Sequence, residues 1–179
     1  MNCKSITLEN SSYYLTDEEF EILQSKLNNV DIRLVSFFNP HHKALYGDIM
    51  INFNKALTEY IRVNFMDESL INSIENFLNY ILEKISIREK RINKLGPQEP
   101  VLYIKIENSS SEAHIPILPY SWTKSTLTCK TLLKSISESN NLMLGEPIVI
   151  DIDFPSHSVE IKSISTYANE QKFKLSQHK

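Results

Sequence analysis

The residues that could do chemistry gather near the end of the chain. Asp151 and Asp153 close the apolar run Ile150-Asp-Ile-Asp-Phe154, and Glu160 and Lys162 follow in Val159-Glu-Ile-Lys162. Carboxylates are hard oxygen ligands that hold a divalent cation when two or more converge on it. A cation held that way polarises a phosphoryl oxygen and lowers the pKa of bound water, with a lysine at hand for the attacking water.

An acidic residue on one strand, then Glu-x-Lys on the next, resembles the motif of the PD-(D/E)xK nucleases. The resemblance implies a metal-dependent nuclease acting through Asp151, Asp153, Glu160 and Lys162 on a hairpin over 148–162. It covers under a tenth of the chain. The step from acid to Glu is short, and about seventeen residues follow Lys162, too few for the helix and strand that complete such a core. The same residues have a plainer reading. Val149, Asp151 and Asp153 alternate with Ile148, Ile150 and Ile152, as a half-buried strand requires. The acidic face is then a solvated one with cross-strand pairing. This is the reading adopted, with no metal and no cofactor.

The other chemistry-bearing residues are dispersed. The histidines are His41, His42, His114, His157 and His178, and none stands in HExxH or HxH spacing. His157, beside Asp153 and Glu160, is the only histidine near a carboxylate cluster. The three glycines, Gly47, Gly96 and Gly145, are single and far apart. They exclude a glycine-rich phosphate loop, a dinucleotide fingerprint and a nucleophile elbow. Cys3 and Cys129 cannot build a disulfide framework or a four-thiolate zinc cage. Cys129 falls in an apolar helical pattern and reads as a small core residue.

Two groups suggest binding. Tyr120 and Trp122 stand in a Pro-bounded loop, and such residues offer much contact area at low entropic cost. The lone Trp is equally suited to plug a small core. Arg88 and Arg91, with Lys84 and Lys94, form a basic stripe that could touch phosphates, although cations at a helix C-terminus are expected from the macrodipole alone. The net charge of −3 and pI of about 6.0 give no overall pull toward nucleic acid or anionic membrane. No signal-peptide stretch and no apolar run long enough to span a membrane is present, so a cytoplasmic chain is expected.

The elements that must position these residues follow from periodicity. Residues 4–9, 30–38 and 49–54 alternate as strands, the last two as a hairpin. Thr16 to Glu19 is a capping box that opens a helix ending near Asn28. For 55–65, β-branched and aromatic content favours a strand over a helix. An unbroken 3.6-residue period from Asp67 to Leu95 predicts one helix of roughly 28 residues, about 42 Å long. That is the full width of a compact domain of this size. Beyond the Pro-bounded segment 96–100, two strands, a helix over 124–139 and a final hairpin are expected, then a polar stretch whose tail frays after Ser176.

The predicted fold is therefore α+β. Mainly antiparallel sheet built from hairpins carries one long helix and two shorter ones. It is one domain, 1–179, with a sub-boundary at 96–100 between residues 1–95 and a ββαββ half, 101–179. The predicted function is a non-catalytic protein-binding module of inhibitor, immunity or accessory type, through Tyr120, Trp122, Arg88 and Arg91. Its partner is another protein, a second copy included, and neither nucleic acid nor a membrane. The alternatives are the nuclease above and a nucleic-acid-binding accessory protein.

Overall fold

The computed structural model describes residues 3–9, 15–37, 49–92, 101–107, 112–139 and 147–177, with backbone only for 86–92, 174–175 and 177. In chain order the elements are β1 (Ser5–Glu9), α1 (Asp17–Leu27), β2 (Arg33–Phe37), β3 (Ile49–Phe53), α2 (Lys55–Asn64), α3 (Glu68–Ile92), β4 (Leu102–Glu107), β5 (Glu112–Ile117), α4 (Thr126–Glu138), β6 (Ile148–Asp153), β7 (Ser158–Ser163) and α5 (Ile164–Gln177). The strands form one seven-stranded sheet in the order β2-β1-β3-β4-β5-β6-β7.

This is an α/β fold with a mixed sheet, which corrects the expected α+β hairpin architecture. The pairs β1–β2, β3–β4 and β5–β6 are parallel, and β1–β3, β4–β5 and β6–β7 are antiparallel. Parallel neighbours need a crossover rather than a tight turn. Here each parallel pair is bridged by helix: α1, then α2 with α3, then α4. The expected β2–β3 hairpin does not form, because β1 lies between them. Arg33 N–H donates to Lys4 C=O at 2.9 Å and so locks β2 onto β1 instead.

Three further expectations are overturned. The long helix is 25 residues, Glu68–Ile92, not about 28. It opens as expected, with Ser69 N–H donating to the Asp67 carboxylate at 2.8 Å. Residues 55–64 are helix, not strand. Asn54 decides this: its Oδ1 accepts from Leu57 N–H at 2.9 Å, and its Nδ2 donates to Cys3 C=O at 2.8 Å. One side chain thus caps α2 and ties it to the start of the sheet, and propensity yields. The polar C-terminal residues, read without a helix, form α5, with Thr166 N–H capped by Ser163 Oγ at 3.2 Å, while residues 178–179 of the tail expected to fray lie outside the described residues.

Alternation gives the sheet two unlike faces. Ile6, Leu8, Ile49, Ile51, Phe53, Leu102, Ile104, Ile106, Ile115 and Ile150 point to one side and are buried. There they meet α1 to α4, whose inward residues include Leu23, Leu57, Ile61, Ile74, Phe77, Leu78, Ile81 and Leu132. The opposite face is polar and largely open, and α5 crosses it over β6 and β7. Pro116 sits in central β5, opposite Tyr103 of β4. It lies beyond Ala113 and His114, the positions at which β5 pairs with β6. No helix among the described residues is long and apolar enough to cross a membrane.

Candidate functional site

Register places one row across the face opposite α1 to α4, polar except at the buried Val149: Thr7, Asn52, Lys105, His114, Val149 and Lys162 are successive cross-strand partners from β1 to β7. At its centre Lys105 Nζ lies 2.7 Å from Glu112, and His114 Nε2 lies 3.5 Å from the other Glu112 oxygen. Asn52 Nδ2 donates to Glu107 at 2.7 Å. Asn52 Oδ1 and His114 Nε2 are buried with no hydrogen-bond partner among the described residues. Burial holds the His114 imidazole below its usual range and outweighs the pull of Glu112, while Lys105 lowers it further. Lys105 in turn holds Glu112 below the usual carboxylate range.

A pH dependence follows. The unfolded chain takes up a proton at this histidine near pH 6.5, and the folded chain does so only at lower pH. Stability should therefore fall as pH drops below about 6.5, and this loss should end once pH passes the folded value. The Glu112 contribution is lost only lower, below the ordinary carboxylate range. Urea midpoints for the wild type and His114→Gln between pH 7.5 and 5.5 are the check. The variant should show the flatter profile, and equal slopes would remove His114 as the cause.

The acidic hairpin occupies the end of the same face. Asp151 and Glu160 are direct cross-strand partners, and Lys162 is the next residue on that face. Lys162 Nζ lies 2.7 Å from Glu160, 2.7 Å from Glu170 of α5 and 3.3 Å from Asp151. These carboxylates raise the lysine pKa against the cost of its burial. The three therefore converge on an ammonium, which fills the position a cation would take. Asp153 stands apart, is exposed and accepts from Ser156 Oγ. Among the described residues, no group of three His, Cys, Asp or Glu is placed to hold a metal ion. His157 has a left-handed φ of 55° in the turn, and its Nδ1 is 3.5 Å from Thr131 Oγ1 of α4.

Tyr120 and Trp122 separate. Tyr120 is 68% exposed, whereas Trp122 is 8% exposed. The indole Nε1–H donates to Asn79 Oδ1 of α3 at 2.6 Å, and its ring meets Phe154 edge-on with centroids 5.0 Å apart. Arg88 and Arg91 lie on α3 where side chains fall outside the described residues. Compared with known proteins, the chain matches no family model, no curated protein and no solved structure.

Periodicity predicts β7 as a hairpin strand but assigns it no binding role; it is the last strand of the sheet among the described residues. Its Val159 and Ile161 point to the helix-covered side, opposite Ile152 and Ile150. They are 42% and 45% exposed, against 5% and 1% for those partners. The helical layer thus stops at β6. On α4, Leu127 is exposed one turn before Thr131, the residue beside His157. The signal in the sequence was the alternation Val159, Ile161 itself, which reads as burial until the strand order shows an edge.

Proposed function

We propose that the chain is a non-catalytic protein-binding module, and that its contact surface is the edge of β7, which pairs with no further strand among the described residues, with the adjoining Leu127. The exposure of Val159 and Ile161 on an edge strand carries this reading. An open edge offers unpaired backbone N–H and C=O groups to another chain, and apolar side chains beside it supply the area that is lost from water. Proteins ordinarily protect such an edge with Lys or Pro. Here Ser158–Ser163 contains no Pro, and its one Lys is neutralised by Asp151, Glu160 and Glu170. Two unpaired thiols, Cys3 exposed and Cys129 buried, fit work in a reducing compartment such as the cytoplasm.

The test is complex formation by the wild type and by Ile161→Lys, read by size-exclusion chromatography with light scattering. The wild type is expected to enter a stoichiometric protein complex, with itself or with another chain, and the variant to lose it at an unchanged melting temperature. Hydrolysis of nucleic acid with Mg²⁺ or Mn²⁺, abolished in Asp151→Asn with Glu160→Gln, would overturn the non-catalytic reading.

A further inference from the structure

We propose that the β7 edge takes a second copy of this chain, pairing antiparallel to the same edge about a two-fold axis through Ile161. The inference rests on the reading of β7 as the contact surface. A two-fold axis normal to the sheet keeps the helical layers of both copies on one side, so each residue faces one of the same parity. The axis must then pass through a residue. Centred on Glu160 or Lys162, it would set like charges directly opposite each other, which is destabilising. Centred on Val159, it would set Ile161 against His157 in the turn and leave Lys162 beyond the ladder.

Centred on Ile161, every position finds a suitable partner. Ile161 meets its own copy, Val159 meets Ser163, and Glu160 meets Lys162 twice by symmetry. Two half-exposed isoleucines leave water together on the helical side, where the layer of each copy stops at β6. The charges pair on the polar side, beside Asp151 and Glu170. The surface is thus self-complementary, as a closed dimer requires. The opposite edge, β2, also carries exposed Val35 and Phe37. Pairing of β7 with β2 would be head-to-tail and would build an open chain of copies instead.

The experiment combines sedimentation with cysteine trapping in a Cys3→Ser background. The wild type is expected to sediment as a dimer, and Ile161→Lys, which places two like charges at the axis, to raise the dissociation constant about tenfold or more. Ile161→Cys should give a disulfide-linked dimer under mild oxidation, and Val159→Cys, displaced from its copy along the strand, should not. A dimer that persists in Ile161→Lys, a cross-link at Val159 rather than Ile161, or open-ended oligomers would overturn the inference. A monomeric wild type would overturn it too. If that monomer still binds another protein through β7, as judged by loss in Ile161→Lys, the contact-surface reading survives. If nothing depends on β7, both fall.

Discussion

Leu78→Ala is expected to lower the free energy of unfolding by about 2–5 kcal/mol. Leu78 is fully buried on α3, beside Ile74, Phe77, Ile81 and Leu82 on the same stripe. That stripe is the middle of the molecule: α3 packs against α1 on one flank and α4 on the other. Truncation removes the transfer free energy of three carbons. It also leaves a cavity that neighbours held on three elements cannot close. Interiors are packed as densely as organic crystals, so little adjacent side-chain motion is free to fill the gap. The measurement is urea unfolding with slope and midpoint determined separately. A midpoint shift at unchanged slope confirms loss of native packing. A loss below about 0.5 kcal/mol, the range of surface changes, would place this face in solvent.

That stripe was legible from sequence because a long 3.6-residue period survives chance better than any other local pattern. The strands were legible for the same reason, as residues 4–9, 49–54 and 148–154 alternate with period two. What failed was their association. Alternation states which face of a strand is buried and nothing about its neighbour. Residues 30–38 and 49–54 therefore read as one hairpin, although β1 separates the strands they form. Residues 55–64 failed for another reason. Their Thr, Tyr, Ile and Val favour strand by propensity, but Asn54 caps a helix through Leu57 N–H and is itself fixed in place by its bond to Cys3 C=O. A long-range bond of that kind has no local signature. The C-terminal helix was hidden by its polar composition, although Ser163 and Thr166 stand at capping distance.

The candidate site divides in the same way. Asp151, Glu160 and Lys162 were readable as one face of a hairpin, because period two requires it. Glu170 was not, since its approach depends on α5 folding back across the sheet to reach Lys162 at 2.7 Å. His114 and Asn52 were invisible as a pair of orphaned polar atoms. Their relation is set by the register of three strands, and their burial by the fold as a whole. The exposure of Val159 and Ile161 is likewise a property of strand order rather than of the strand.

Trp122→Ala is expected to cost about 3–5 kcal/mol, the usual loss for a buried large aromatic, whereas Tyr120→Ala should cost no more than about 1 kcal/mol. The two residues share one loop yet belong to different environments. Trp122 bridges α3, through Asn79, to Phe154 at the end of β6. Its loss empties a core site and leaves the Asn79 Oδ1 without that donor, so the cavity and hydrogen-bond costs add. As the sole tryptophan, it reports on itself. The native chain should fluoresce at the short wavelengths of a shielded indole and shift to the red on unfolding. Trp122→Phe, which keeps most of the volume and the contact with Phe154, should recover most of the stability. Any weakening of protein association in Trp122→Ala should then be rescued by Trp122→Phe. Phe154 sits at the turn between β6 and β7, and loosening it disturbs the edge that carries Val159 and Ile161. Association lost in both variants at full stability of Trp122→Phe would instead assign the indole a direct contact with the partner.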